Sequence, residues 1–183
     1  MTAKKLTDSV YFLPGATNIG IISCFSSTKK TNEVYLVDTG MSASDAKVIL
    51  EELKSLFPKE KGGYSIKAII STHSHADHCG GNKYIIEKTK CDLLATKKES
   101  GSIQNPFLQA AVIWGGNPIP EITGPYYEAE PTMPTKIIDA AVKITLDNSS
   151  EISFFPLPGN YFEMTGVLYE NSKKEKVLFA GDA

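Results

Sequence analysis

Residues Ser71 to Gly81 read STHSHADHCGG, and they contain every histidine of the chain. The apolar run from Ile66 to Ile70 leads into this stretch, and a Gly-Gly pair leads out of it. Imidazole and carboxylate groups on one loop are the ligands that a borderline divalent cation such as zinc requires. The stretch therefore predicts a metal-binding loop at the end of a buried strand. The alternative is a histidine-rich surface loop that binds no metal.

The spacing of these side chains indicates how a metal would lie. His73 and His75 are two residues apart, so in extended backbone both side chains project to the same side. Asp77 and His78 lie where the chain should turn into the next helix. Because they are adjacent, their side chains diverge and need not bind the same ion as the first pair. The pattern favours two neighbouring metal positions over a single site with four ligands.

Composition narrows the class of protein. The chain has 183 residues, which suits one domain spanning residues 1–183. All 19 basic residues are lysines and the formal net charge is −2, which argues against nucleic-acid binding, where arginine is favoured. The three cysteines form no disulfide framework and suit a reducing cytoplasm. Neither an apolar signal core nor a run of membrane-spanning length is found, so we expect a cytoplasmic protein without membrane contact.

The first half of the chain alternates strands and helices. Apolar runs predict strands at residues 10–13, 19–25, 34–37, 66–70 and 91–95, and the first two are expected to pair as a hairpin. Residues 44–57 carry an apolar stripe at the helical period, and residues 82–90 predict a second helix. This order indicates a layered α/β fold.

Residues 97–134 differ in composition from the rest of the chain. They are rich in Gly, Pro and aromatic residues, and only residues 108–114 have a helical pattern. A stretch this long without regular elements is usually functional or mobile. We interpret it as an insertion or lid-like segment, with Trp114, Tyr126 and Tyr127 as candidate substrate contacts. The alternative is an ordinary insertion that packs on its own core.

Beyond residue 136 the pattern is that of strands. Apolar segments at 137–138, 142–146, 152–155, 166–169 and 177–180 are separated by turns of the hairpin kind. We expect them to form a second sheet of antiparallel strands.

Several segments together resemble the metallo-β-lactamase superfamily. The sequence HSHADH at residues 73–78 is similar to the metal-binding signature of that family. TNIG at 17–20, LVDTG at 36–40, LPG at 157–159 and FAGD at 179–182 resemble further family segments in the same order. The resemblance covers residues 10–182 and implies an αββα sandwich.

The resemblance also implies a ligand set. One zinc ion would take His73, His75 and a third imidazole, and a second ion would take Asp77, His78 and a further histidine. Asp182 would bridge both ions, and Asp77 would also act catalytically in proton transfer. Iron or manganese could occupy the same positions.

Asp38 ends the third predicted strand, within the LVDTG segment. It is a candidate to orient a metal ligand through a hydrogen bond, and the alternative is an aspartate that only forms a turn.

Two departures from the family pattern bear on activity. Asn160 stands where the family has the third histidine, and a carboxamide oxygen is a poorer zinc ligand than imidazole. The final histidine of the family has no counterpart before Ala183. We therefore expect a sandwich truncated in its second half, with weak or partial metal binding and little activity. The unpaired sheet edge of such a chain favours a homodimer.

The sequence thus predicts a metal-dependent hydrolase, with two zinc ions in the intact family site. Its substrate would be a small ester-like molecule such as a thioester or a lactone, because the Asp77-His78 pair resembles that of the thioester hydrolases and lactonases of the superfamily. The alternative is a non-catalytic relative that keeps the fold and binds a ligand or partner, with a decayed metal site.

Overall fold

The computed structural model describes residues 2–119, 121–123 and 128–183. The helices are α1 (Ala43–Leu56), α2 (Ala76–Cys79), α3 (Asn82–Thr89), α4 (Lys97–Gln104) and α5 (Phe107–Trp114). The strands are β1 (Lys4–Lys5), β2 (Val10–Leu13), β3 (Ile19–Ser26), β4 (Thr31–Val37), β5 (Tyr64–Ile70), β6 (Asp92–Ala95), β7 (Lys136–Ile137), β8 (Lys143–Thr145), β9 (Glu151–Pro156), β10 (Thr165–Glu170) and β11 (Lys176–Phe179).

The first sheet has the strand order β1-β2-β3-β4-β5-β6-β7 within the described residues. Strands β1 to β4 pair antiparallel, which includes the expected β2–β3 hairpin, and β4 to β7 pair in parallel. Strands β4 and β5 end side by side, since Val37 pairs with Ile70. The carboxyl end of parallel strands is where α/β sheets place their ligands.

The second sheet has the order β11-β10-β9-β8 and is antiparallel throughout. Alternate side chains of β9 and β10 are buried, as period-two patterning predicts for a sheet with one face on a core.

Two apolar cores hold these layers together. The core between α1, α3 and the first sheet includes Ile49, Leu53, Ile85, Leu36 and Ile69. The core between the two sheets includes Ile22, Ile70, Phe154, Val167 and Tyr169. The layers therefore follow one another as helices, first sheet and second sheet.

Helix α1 shows why the sequence forms these elements. Its buried residues, Ala46, Ile49 and Leu53, lie at helical spacing on one face. Ser42 caps the first turn by accepting a hydrogen bond from the Asp45 N–H, and Pro58 follows the last turn.

Two predictions of secondary structure are wrong. Residues 97–104 form helix α4, although they include Gly101 and two serines. Glu99 and Ile103 are buried, so tertiary packing outweighs weak helix propensity. Strand β7 belongs to the first sheet, where it pairs in parallel with β6. Its two residues are too few for their pattern to indicate a partner.

No helix in the part of the chain that the structure describes is long and apolar enough to cross a membrane.

Candidate metal centre

The centre lies at the carboxyl ends of β4 and β5. Asp38 follows β4, and its N–H donates to the Ile70 carbonyl at 3.0 Å. Ser71 follows β5, and its N–H donates to the Leu94 carbonyl at 3.0 Å. Backbone hydrogen bonds therefore extend the sheet by one residue, and the histidine motif begins at its edge.

Asp38 is buried and has a left-handed backbone, with φ of 63°. This conformation costs an L-residue roughly 1–2 kcal/mol, although aspartate tolerates it better than most. Three hydrogen bonds hold the side chain: Oδ1 accepts from the Thr72 N–H, and Oδ2 accepts from the Thr72 hydroxyl and from His78 Nδ1, each at 2.8 Å. The structure thus places Asp38 against a predicted ligand, His78.

These contacts determine which nitrogen of each imidazole carries a proton. The Thr72 hydroxyl donates its single proton to Asp38, so it accepts from His73 Nδ1–H at 3.0 Å. His78 also carries a proton on Nδ1, because the carboxylate of Asp38 can only accept. In the neutral form of each ring, the lone pair is therefore on Nε2.

Both Nε2 atoms face Asp182. The distances are 3.0 Å from His78 Nε2 to Oδ1 and 3.6 Å from His73 Nε2 to Oδ2. The donor atoms of these three residues lie within 4.8 Å of one another. His73 is fully buried, and its Nε2 has no hydrogen-bond partner among the described residues. Since a buried polar atom without a partner costs free energy, this arrangement fits a bound cation.

The two histidines differ in their electrostatic surroundings. Burial, and then the charge of His78, lowers the pKa of His73 to about 3. Burial acts to lower the pKa of His78. The hydrogen bond to Asp38 and the charges of Asp38, Asp77 and Asp182 outweigh burial and raise this pKa to about 9. In the metal-free chain, His78 therefore carries a second proton, on Nε2, at neutral pH. Metal binding would displace this proton.

Two glycines allow Asp182 to reach this position. Gly181 has φ of 59°, a backbone conformation that glycine adopts without strain, and it turns the chain after β11. Within β11, the Phe179 ring lies against Gly20 of β3, where a Cβ would be 2.5 Å from the ring. The close approach of β11 to β3 brings Asp182 to the histidines.

Asp77 and His75 lie at the border of this group. Asp77 Oδ2 is 3.5 Å from His78 Nε2 and accepts a hydrogen bond from the Thr17 hydroxyl at 2.9 Å. The His75 ring lies 4.6 Å from the His73 ring and 4.4 Å from the Tyr161 ring, measured between centroids. Burial lowers the pKa of His75. Neither side chain belongs to the compact group around Asp182.

Asn160 contacts the centre through its amide nitrogen. Nδ2–H donates to Asp182 Oδ2 at 3.3 Å, so the amide meets a predicted ligand as a hydrogen-bond donor. Its role as a weak metal ligand stays a prediction.

Sequence reasoning missed Glu99. This residue of α4 is fully buried, and Oε2 accepts from the Ser74 N–H at 2.9 Å and from the Ser74 hydroxyl at 2.5 Å. Oε1 accepts from the Glu163 N–H at 2.6 Å. Glu99 thus ties the histidine loop to the segment that carries Asn160 and Tyr161. Its sequence gave no signal, because both contacts are distant along the chain.

A cavity of about 400 Å³ adjoins the centre. Its lining includes Leu6, Phe12, Thr17, Asn18 and Leu178, together with Asp77, His78 and Asp182. Trp114, at the end of α5, is about half exposed and is not among the described residues that line it. Tyr126 and Tyr127 lie outside the described residues.

The fold and the site define an α/β protein with two facing sheets and a candidate metal centre at one edge. The family model described as the metallo-beta-lactamase superfamily matches residues 14–183. The chain belongs to this superfamily, which confirms the predicted family.

Solved structures agree with the fold. A metallo-beta-lactamase from Cronobacter sakazakii matches with a TM-score of 0.74 at 14% identity, over 98% of this chain and 64% of its own. A subclass B3 metallo-beta-lactamase of Bradyrhizobium japonicum matches with a TM-score of 0.74 at 19% identity, over 98% and 62%. The predicted fold class is therefore confirmed. The chain spans about three fifths of the length of these structural relatives.

A curated protein provides a shorter match. The hydroxyacylglutathione hydrolase of Nitrosococcus oceani is 40% identical over 55 residues, which are 30% of this chain and 21% of that protein.

Proposed function

We propose that this chain is a metal-dependent hydrolase of a small ester-like substrate, a thioester or a lactone. The observation that carries the proposal is the convergence of His73 Nε2, His78 Nε2 and the Asp182 carboxylate beside a cavity of about 400 Å³. This volume is in the range of sites for small molecules. Zinc is the proposed metal, and iron and manganese are the alternatives.

Zinc held by these residues would polarise a substrate carbonyl and make water a nucleophile at neutral pH. The other roles belong to the chain itself. Asp38 holds His78, and through Thr72 also His73, with both lone pairs directed at the metal position.

We assign proton transfer to Asp77. Its side chain is 39% exposed, so it can exchange protons with solvent. The Thr17 hydroxyl holds one carboxylate oxygen, which lies 3.5 Å from His78 Nε2. A carboxylate fixed beside the metal position and open to water can accept a proton there and release it to solvent.

The relatives support hydrolysis and favour a thioester. The name of the Nitrosococcus oceani relative specifies an acylglutathione, which is a thioester. Apolar side chains of Leu6, Phe12 and Leu178 on the cavity wall suit the organic part of such a substrate. We further propose a small-molecule substrate without nucleic-acid or membrane partners, and a cytoplasmic location; formation of a homodimer stays a prediction.

The test is turnover of a panel of thioesters and lactones by purified protein supplied with zinc. We expect hydrolysis that a chelator abolishes and zinc restores, and that His78→Ala lowers at least about 100-fold, since it removes a metal ligand. Lys83→Ala, on the surface beside Glu130, is a matched control that should leave the rate unchanged. Rates equal to the buffer blank for every substrate would refute the proposal.

A non-catalytic binding protein is the second candidate. The hydrogen bond from Asn160 to Asp182 favours it, because it replaces a metal–ligand contact of the family with a contact that needs no metal. This candidate predicts no turnover even by Asn160→His with zinc, whereas a hydrolase impaired at this position should gain activity.

A further inference from the structure

The first sheet supports the histidine segment only as far as Ser71. The Ser71 N–H donates to the Leu94 carbonyl, and within the described residues no strand of this sheet pairs with the segment beyond that point. Ser74 and Ala76 follow, and both are buried. A buried N–H without an acceptor costs about 1–3 kcal/mol, so the N–H groups of these two residues need acceptors from elsewhere in the chain.

Two side chains, one from α4 and one from α5, supply these acceptors. Glu99 Oε2 accepts from the Ser74 N–H at 2.9 Å and from the Ser74 hydroxyl at 2.5 Å. Gln109 Oε1 accepts from the N–H of Ala76 at 3.0 Å. Glu99 is fully buried and Gln109 is 5% exposed. The two helices thus provide the acceptors that a neighbouring strand would otherwise provide.

Helix α4 also holds the loop between β9 and β10, which carries Tyr161. Glu99 Oε1 accepts from the Glu163 N–H at 2.6 Å. The Thr96 hydroxyl donates to the Glu163 carbonyl, and the Lys98 N–H donates to Glu163 Oε2, each at 2.9 Å. One carboxylate, that of Glu99, therefore joins the two loops on either side of the centre.

Space filling alone does not explain these two residues. A carboxylate or a carboxamide costs free energy on burial unless it is hydrogen-bonded, whereas an apolar side chain fills the same space without that cost. Gln104 of α4 provides the contrast, because its amide donates to the carbonyl and the hydroxyl of Ser100 in the same helix. Glu99 and Gln109 instead direct their oxygens at the histidine segment.

We propose that Glu99 and Gln109 are positioning residues, which hold the segment that carries His73 and His75 in its metal-binding geometry. The proposal rests on the metal requirement of the proposed function. On this proposal α4 and α5 are a fixed support for the segment and do not open as a lid.

The first test measures zinc affinity without substrate, by competition with a chromophoric chelator. Gln109→Met keeps the length of the side chain but removes the oxygen, and Glu99→Gln leaves one oxygen for two groups of donors. Each should weaken zinc binding about 10-fold or more. Gln109→Glu keeps an acceptor for the Ala76 N–H and should retain the affinity. Gln104→Met is the matched control and should leave the affinity unchanged.

A purely structural role would give a different result. Circular dichroism identifies conditions in which each metal-free variant is folded, and there a lower free energy of unfolding does not by itself change the affinity of the folded chain for zinc.

The second test follows amide hydrogen exchange by NMR in the metal-free chain. The Ala76 amide in Gln109→Met and the Ser74 amide in Glu99→Gln should exchange faster relative to the Ile69 amide, which lies in the interior of β5 and corrects for global unfolding. Both amides should be unchanged in Gln104→Met.

Unchanged zinc affinity in Gln109→Met and Glu99→Gln would overturn the inference, and so would an equal loss in Gln109→Met and Gln109→Glu. These results are separable from the proposed function. A chain that shows the expected losses but hydrolyses nothing upholds this inference and refutes the hydrolase. If the unaltered chain binds no zinc, the metal requirement fails, and unchanged exchange of the Ser74 and Ala76 amides would then overturn the positioning role as well.

Discussion

Replacement of Asp38 by asparagine tests whether this carboxylate controls the protonation of the histidines. Asparagine has the same size and tolerates left-handed backbone, so the change is confined to the hydrogen-bonding atoms. One oxygen can still accept, but the new NH₂ group faces donors: the Thr72 N–H if it replaces Oδ1, or both the Thr72 hydroxyl and His78 Nδ1–H if it replaces Oδ2. In either orientation, the negative charge that favours the protonated form of His78 is lost.

The structure gives the size of the effect. The rise in the pKa of His78 from 6.5 to about 9 corresponds to about 3 kcal/mol, at about 1.4 kcal/mol per pKa unit. Because the pKa is raised in the folded state, this stabilisation is fully present below pH 6.5 and is lost as the pH rises through 9. Since Asp38 supplies most of what raises the pKa, Asp38→Asn should lower the unfolding free energy of the metal-free chain by about 2–3 kcal/mol near pH 6, and by clearly less above pH 9.

The assay is urea unfolding in the presence of a chelator at both pH values, with the His78 titration followed by NMR. Asp45→Asn is the matched control, because Asp45 accepts from the Met41 N–H and the Ser42 hydroxyl and contacts no histidine. The loss of unfolding free energy in Asp45→Asn should not depend on pH in this range. An equal loss for Asp38→Asn at both pH values, or an unchanged pKa of His78, would refute the reasoning. Zinc affinity should fall by about 10–100-fold in the same variant.

Three further substitutions test the packing of the segments around the metal centre. Glu99→Gln should lower the free energy of unfolding by about 1–3 kcal/mol, because a buried donor is left unpaired. Burial raises the pKa of Glu99, so the difference in unfolding free energy between wild type and variant, measured with urea, should shrink as the pH rises above 4.5. Gly80→Ala should destabilise the chain by more than about 2 kcal/mol, because its Cβ would overlap the Met41 carbonyl, whereas its φ of −63° excludes backbone strain as the cause. Gly101→Ala, inside α4 with open space at its Cβ, should raise the melting temperature through a gain of about 0.5–1 kcal/mol, and a loss there would contradict the α4 assignment.

The sequence predicts well what is encoded locally. The buried strand before the histidines, the stripe of α1 and the hairpin turns of the second sheet all depend on neighbours within a few residues, and the structure contains each of them. The family resemblance adds residues that local patterns do not connect, such as Asp38 and Asp182.

The contacts that shape the centre join residues that are distant along the chain, so local sequence patterns do not predict them. Glu99 lies in a helix of weak propensity and is defined by partners 25 and 64 residues away. Thr72 has the sequence context of an ordinary loop residue, yet it relays the effect of Asp38 to His73 because the ends of β4 and β5 coincide. Sequence spacing groups His75 with His73, and their ring centroids lie 4.6 Å apart. It gives no indication of Tyr161, whose ring lies against His75 from a loop more than 80 residues later.

The origin of the three donors links metal binding to the packing of the sheets. His73 and His78 follow β5 of the first sheet, whereas Asp182 follows β11, which is the end strand of the second. An ion held by all three would join the sheets at this edge, in addition to the apolar contact between Phe179 and Gly20. Metal that binds only the folded arrangement stabilises it by RT ln(1 + [L]/Kd), about 2.7 kcal/mol at a hundredfold excess over Kd. Without metal, protonated His78 holds Asp182 electrostatically, and this contact weakens as the pH rises through 9. The docking of β11 should therefore depend on pH in the metal-free chain and become independent of it once the ion replaces the proton.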